Sequence, residues 1–215
     1  YSSIGLVDKN VLSGAMSFYN ECLKEDIKPV IGLEVDVNVD RIVSVILYAK
    51  DDLGFQNLMR LSSVVNTGVD KVVDLDTFNK YRDHNFVVLK SEDVPYFDSE
   101  DINNSIKKEK EIFGDHLVAF LDHDMAGNVR RDEKLRPLLN DNKIKIIKMS
   151  TTLYIDEDDY IAYEVLKCIR DKKTLEENVY YEKDRQIKDA IFDDESRNCD
   201  VLAENCNVKM AFRTS

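Results

Sequence analysis

Short runs rich in Val, Ile and Leu recur along the chain, separated by stretches in which apolar residues return every three or four positions. That alternation is the pattern of βα units wound around a parallel sheet. Gly5 to Val7 opens the series as a strand, and Leu12, Ala15, Met16, Tyr19, Cys22 and Leu23 then fall on one face of a helix. Val30 to Val35 is a second strand. Asp40-Arg41 marks a turn into a third, Ile42 to Ala49, so that the pair reads as a hairpin. Gly54 to Ser63 has helical period. Further strands are expected at Phe86 to Leu89, Leu117 to Leu121 and Lys143 to Lys148, with helices near Glu100 to Phe113, Arg131 to Leu139 and Asp158 to Arg170. The acidic runs Glu157-Asp158-Asp159 and Asp193-Asp194-Glu195 stand at helix starts, where carboxylates complement the helix dipole. Gly68 to Asp76 reads as a loop.

Composition narrows the class. With 215 residues, 43% hydrophobic and 33% charged, the chain fits one α/β domain, residues 1–215, with a full core. No Pro-, Ser- or Gly-rich linker divides it, and no apolar run approaches the roughly 18 to 20 residues that span a bilayer. A cytoplasmic protein is expected. The net charge of −12 argues against a nucleic-acid clamp, since affinity for DNA comes largely from Lys and Arg neutralising phosphates. An acidic surface serves solubility or docks a basic partner domain. Cys22, Cys168, Cys199 and Cys206 stand singly, without C-x-x-C spacing, which suggests neither a zinc site nor a disulfide framework. Cys199 and Cys206, seven apart, are expected on one helix face as small buried hydrophobes. There is no Gly-x-Gly-x-x-Gly, no Walker A lysine motif, no Gly-x-Ser-x-Gly and no His-Glu-x-x-His.

More specific are Val7-Asp8-Lys9, Ser13-Gly14, Phe18-Tyr19 and Ile27-Lys28-Pro29-Val30-Ile31-Gly32-Leu33-Glu34. This opening resembles the PHP (polymerase and histidinol phosphatase) domain of bacterial DNA polymerase III alpha subunits. There a strand ends in Thr-Asp-His, a Gly-containing turn starts a helix with Phe-Tyr, and an Ile-Lys-Pro-Ile-Ile-Gly-x-Glu strand follows. Ile46 to Lys50, Gly54-Phe55-Gln56-Asn57-Leu58 and Leu61-Ser62 are similar to a second family segment. Lys145 to Tyr154 resembles a late strand that usually ends in Asn-Asp-x-His-Tyr, and Asn198 to Val208 resembles the closing helix and the exit from the domain. The likeness runs from about Ile4 to Val208 and is weakest from Gly68 to Lys134. It implies an α/β fold of the distorted (βα) PHP barrel type, here lacking the first strand-helix unit with its His-x-His. That lack suggests a piece of a longer protein.

An active PHP domain holds a cluster of metal ions at the C-terminal ends of its strands, using imidazoles and carboxylates. The resemblance places Asp8, Lys9, Glu34, Thr151 and Leu153 at ligand positions, where Lys9 and Leu153 replace histidines and Thr151 replaces an aspartate. Neither an ammonium nor an aliphatic side chain donates a lone pair to a divalent ion. Asp8 then caps the following helix or pairs with a cation such as Lys9, and Glu34 ends its strand in a hydrogen-bonded role. Among three histidines, His123 in Leu121-Asp122-His123-Asp124 is the weak remaining candidate, while His84 reads as a turn and His116 as the approach to a strand. The expectation is a segment without bound metal and without catalytic residues of its own. The resemblance implies a parent DNA-directed DNA polymerase that binds DNA and dNTPs and uses Mg²⁺ in a palm domain outside this chain. This segment would be its structural and docking module, with the other polymerase domains as partners and no membrane. An active metal-dependent phosphoesterase and a stand-alone binding protein on a decayed PHP fold are the alternatives.

Overall fold

The computed structural model describes residues 1–90, 101–121, 129–148, 152–176 and 194–210. Its elements run β1 (Ser3–Lys9), α1 (Ala15–Lys24), β2 (Lys28–Asn38), β3 (Ile42–Ala49), α2 (Asp52–Thr67), β4 (Val72–Asp74), α3 (Leu75–Tyr81), β5 (Asn85–Lys90), α4 (Ile102–Phe113), β6 (Leu117–Phe120), α5 (Val129–Asp141), β7 (Lys145–Ile147), α6 (Asp159–Asp171) and α7 (Asp194–Glu204). One sheet takes the order β1-β2-β3-β5-β6-β7, and β4 adds to β2.

The sheet is mixed rather than wholly parallel. β1 and β4 pair with β2 in parallel, as do β5, β6 and β7 in succession, whereas β3 is antiparallel to both β2 and β5. The cause is local. The connection from β2 to β3 is only three residues, with Asp40 at φ 76° and the Val39 N–H donating to Arg41 O at 2.8 Å, too short for a crossover helix.

Each face of the sheet has its own core. On the outer face Leu33, Val35, Val37, Val45 and Leu47 meet Leu58 and Leu61 of α2, Phe78 of α3, Ile106 and Phe113 of α4 and Leu135 and Leu139 of α5. Phe78 and Phe113 pack edge to face at 5.8 Å. On the inner face Val30, Ile46, Tyr48, Val88, Val118, Phe120 and Ile147 meet Leu202 and Ala203 of α7 and Cys206 just beyond it. Side chains of α7 also cover the exposed edge of β7: Asn198 Nδ2 donates to Ile146 O at 2.7 Å and Cys199 Sγ to Lys148 O at 2.9 Å.

Helix starts follow capping chemistry. Asp51, Asp74 and Asp101 accept from the N–H groups of Gly54, Thr77 and Asn104, at 2.9, 2.8 and 3.1 Å. β4 and α3 occupy a stretch expected to be loop from Gly68 to Asp76 and its continuation. A three-residue strand is too short to display a period, so the Asp74 cap is the readable signal there. The closing helix α7 ends at Glu204, and Asn205 to Val208 form the exit that follows it. Cys206 is therefore not on a shared helix face with Cys199, although both reach the inner core.

Candidate functional site

Sheet parity decides which side chains can meet. In the parallel β1–β2 register Val7 stands beside Gly32, Asp8 beside Leu33 and Lys9 beside Glu34. Side chains alternate between faces along each strand. Val7, Lys9, Gly32, Glu34 and Asp36 therefore belong to the inner face, and Asp8 shares the helix-covered face with Leu33. Asp8 and Glu34 stand one step apart along the β1–β2 register, but their carboxylates lie on opposite sides of the sheet.

Asp8 points toward the start of α1, its Oδ2 lying 3.6 Å from the place a Cβ on Gly14 would take. It makes neither the cap hydrogen bond nor the ion pair with Lys9 that the sequence suggests: among the described residues Gly14 is the N-cap of α1, without a side-chain bond, and Lys9 turns elsewhere. Glu34 is not at a strand end either, because β2 continues to Asn38.

Lys9 Nζ donates to Asp36 Oδ1 at 2.9 Å and lies 3.8 Å from Glu34 Oε1. Ser44 Oγ, directly across the β2–β3 pair from Asp36, donates to the same Asp36 oxygen at 2.5 Å and lies 3.5 Å from Lys9 Nζ. One ammonium, two carboxylates and a hydroxyl thus form a polar patch on the inner face beside the C-terminal end of β1. Both carboxylate side chains are about four-fifths buried, at 21% and 22% exposure, while the Lys9 side chain keeps 48%. The shorter contact makes Asp36 the main partner of Lys9. Asp36 and Ser44 escape a reading by family motif, yet Leu33, Val35 and Val37 alternate with Glu34, Asp36 and Asn38, and that period of two places Asp36 beside Glu34.

Beneath this patch the face is apolar. Gly32 is required by close packing: a Cβ there would stand 2.9 Å from two Tyr48 ring atoms and from Val7 Cγ2. Tyr48 lies across the strand at 2% exposure, and burial raises its phenol far above the ordinary range. Cys206, at the far end of the same face, has its thiol pushed up to about 12 by burial, which leaves it a packing residue rather than a nucleophile.

Of the other candidates, Leu153 is half-buried between β7 and α6, next to Tyr154, whose ring is packed against Tyr160 and Tyr163 at 5.5 and 6.5 Å. Thr151 and His123 lie outside the described residues. His84 sits in a turn at φ 62° with Nδ1 2.7 Å from Asp51 Oδ2, far along β5 from the polar patch. Against desolvation, bonds from Gly54 N–H and His84 hold the Asp51 carboxyl below its usual range. His84 is thus a partner of a helix cap.

The described donors do not fit a multinuclear metal cluster. An ammonium stands among the inner carboxylates, Asp8 faces away, and among the described residues no three His, Cys, Asp or Glu side chains gather so as to hold a metal ion. Among the described residues, too, no helix is long and apolar enough to cross a membrane.

Residues 1–117 match the PHP domain family. Over the chain as a whole, similar proteins include the DNA polymerase III subunit alpha of Bacillus subtilis, 26% identical across 98% of this chain and 21% of that protein. That of Aquifex aeolicus is 28% identical across 82% of this chain and 18% of its own length. That of Staphylococcus epidermidis is 22% identical across 100% of this chain and 19% of its own length. The chain therefore spans about a fifth of the relatives it matches.

Proposed function

The chain belongs to the PHP domain family, and from that premise we propose that it is the PHP module of a bacterial replicative DNA polymerase III alpha subunit. The observation that carries this is extent. Similarity to polymerase alpha subunits continues past residue 117 to the closing helix, including the inner-face segment around α7.

In this reading residues 1–215 act as one domain that supports DNA-templated synthesis without chemistry of its own. The parent extends a primer with dNTPs, its Mg²⁺ held by a palm domain outside this chain, in the cytoplasm. Its partners here are the other polymerase domains, and its acidic surface leaves DNA to them. Asp8, Lys9, Glu34, Thr151 and Leu153 are positions that have lost a ligand set. Lys9 supplies the positive charge between Glu34 and Asp36 that a cation would otherwise supply, which removes carboxylate repulsion without binding an ion.

Primer extension by the full-length polypeptide that carries this sequence tests the reading. Template-dependent incorporation of dNTPs, with no release of phosphate from phosphomonoesters in Mn²⁺ or Zn²⁺, is expected. A polypeptide that hydrolyses phosphoesters and extends no primer would contradict it.

A further inference from the structure

Lys50, Asp51 and Asp52 lead from β3 into α2, and two other parts of the chain are fastened to them. The first is the turn between α3 and β5. The Lys50 N–H donates to His84 O at 2.9 Å, Asp51 Oδ2 lies 2.7 Å from His84 Nδ1, and a Cβ on Gly54 would strike the His84 carbonyl. Asn57 Nδ2 and Asn85 Nδ2 both donate to Asp83 O at 3.0 Å, which fixes this turn to α2 and to β5. The second is the segment after α7. The Asn207 N–H donates to Lys50 O at 2.7 Å and the Lys209 N–H to Asp52 Oδ1 at 2.6 Å. The two residues that flank Asp51 therefore hold the exit segment, while Asp51 itself is held by His84.

We propose that His84 and Asp51 form a proton-dependent clasp, which closes the start of α2 and the exit segment Asn207 to Lys209 more tightly when the imidazole is charged. Asp51 spends one oxygen on the Gly54 N–H, at 2.9 Å, and the other on His84, so a change at the imidazole reaches the helix cap through a single carboxylate. A charged imidazole makes an ion pair there. A neutral one keeps a bond roughly half as strong if Nδ1 carries the proton, and turns a lone pair toward the carboxylate if Nε2 does. The charged groups around the pair are Lys50 and Asp52 in the same turn, Asp83 beside His84 and Lys209 in the exit segment. Burial lowers the Lys50 ammonium, against Asp51 and Asp83. Carboxylates and ammonium groups ordinarily keep their charge between about pH 6 and pH 8, whereas an imidazole does not. The extra closure is thus present below that window and lost as pH rises through it. The side chains of His84 and Asp51 are 47% and 45% exposed, which limits the effect to about fivefold in a local opening equilibrium. Lys28 Nζ donates to Glu204 O and Asn207 Oδ1, each at 3.0 Å, and anchors the start of the exit segment independently, so the opening stays local.

Hydrogen exchange of the full-length polypeptide tests the clasp. Mass spectrometry follows peptides covering Asp52 to Gln56 and Asn207 to Lys209 at about pH 6 and about pH 8, corrected for the intrinsic pH dependence of amide exchange. The parent is expected to lose about twofold to fivefold of its protection in both peptides at the higher pH. His84→Asn suits the left-handed backbone at φ 62°, and Asp51→Asn retains a capping side chain. Both variants should show the lower protection at either pH, while His116→Asn should behave as the parent does. Equal protection of the parent at the two pH values, a pH-dependent loss that persists in either clasp variant, or a loss confined to one of the two peptides would each overturn the proposal.

Discussion

Lys9 Nζ and Asp36 Oδ1 lie 2.9 Å apart across the inner face of the β1–β2 pair, with Glu34 at 3.8 Å on the other side of the same ammonium. The lysine therefore separates two carboxylates that stand two residues apart on one strand and would otherwise repel.

Replacing it exposes that repulsion. Lys9→Met should destabilise the protein by about 1 kcal/mol at low salt, the upper end for partly exposed ion pairs. The loss should shrink near 1 M NaCl, where charges a few ångströms apart are screened. Urea unfolding at both salt concentrations checks this, and a loss independent of salt would mean that Lys9 acts through packing. Lys9→His should not create phosphoesterase activity, since one imidazole does not rebuild a cluster.

The approach of Tyr48 to Gly32 makes a steric prediction with an internal control. Gly32→Ala places a methyl 2.9 Å from the Tyr48 ring and Val7, and overpacking of that kind costs about 1–3 kcal/mol. Gly5→Ala meets the same ring at 3.7 Å, ordinary contact, and should change stability by less than about 0.5 kcal/mol. Equal effects in thermal unfolding would show that the ring moves freely.

How far these features could be read in advance depends on which forces set them. Strands such as Val30 to Val35 and Ile42 to Ala49 carry continuous apolar runs, and their turn at Asp40 has its own backbone signature, so both were legible. The family motif likewise located Lys9 and Glu34. It did not convey faces: Asp8 and Glu34 occupy motif positions alike, and only the one-residue step in pairing register sends Asp8 to the helices and Lys9 inward. Asp36 was readable by alternation but carries no motif.

Glu109 makes a pH prediction. It is fully buried in α4, among the described residues neither carboxylate oxygen has a hydrogen-bond partner, and burial raises its pKa to about 8, with Lys108 opposing weakly. The folded protein thus binds a proton that the unfolded chain releases near pH 4.5, so this group's contribution is fully present below that pH and is lost as pH rises toward 8. Glu109→Gln cannot ionise. It should flatten the decline between pH 5 and 8 and be more stable than the parent at pH 8.5, by on the order of 3 kcal/mol. Parallel stability curves for the two proteins, from urea titrations across that range, would refute the buried acid.

The proposal that the Lys9 ion pair, rather than a metal, occupies the inner face beside β1 is tested most directly by elemental analysis. The sample is the purified full-length polypeptide, dialysed free of loosely held Mg²⁺ and compared with its Glu34→Ala and Asp36→Ala variants. No stoichiometric zinc, manganese or iron is expected in any of the three. Stoichiometric metal in the parent protein that disappears in the two variants would contradict the account.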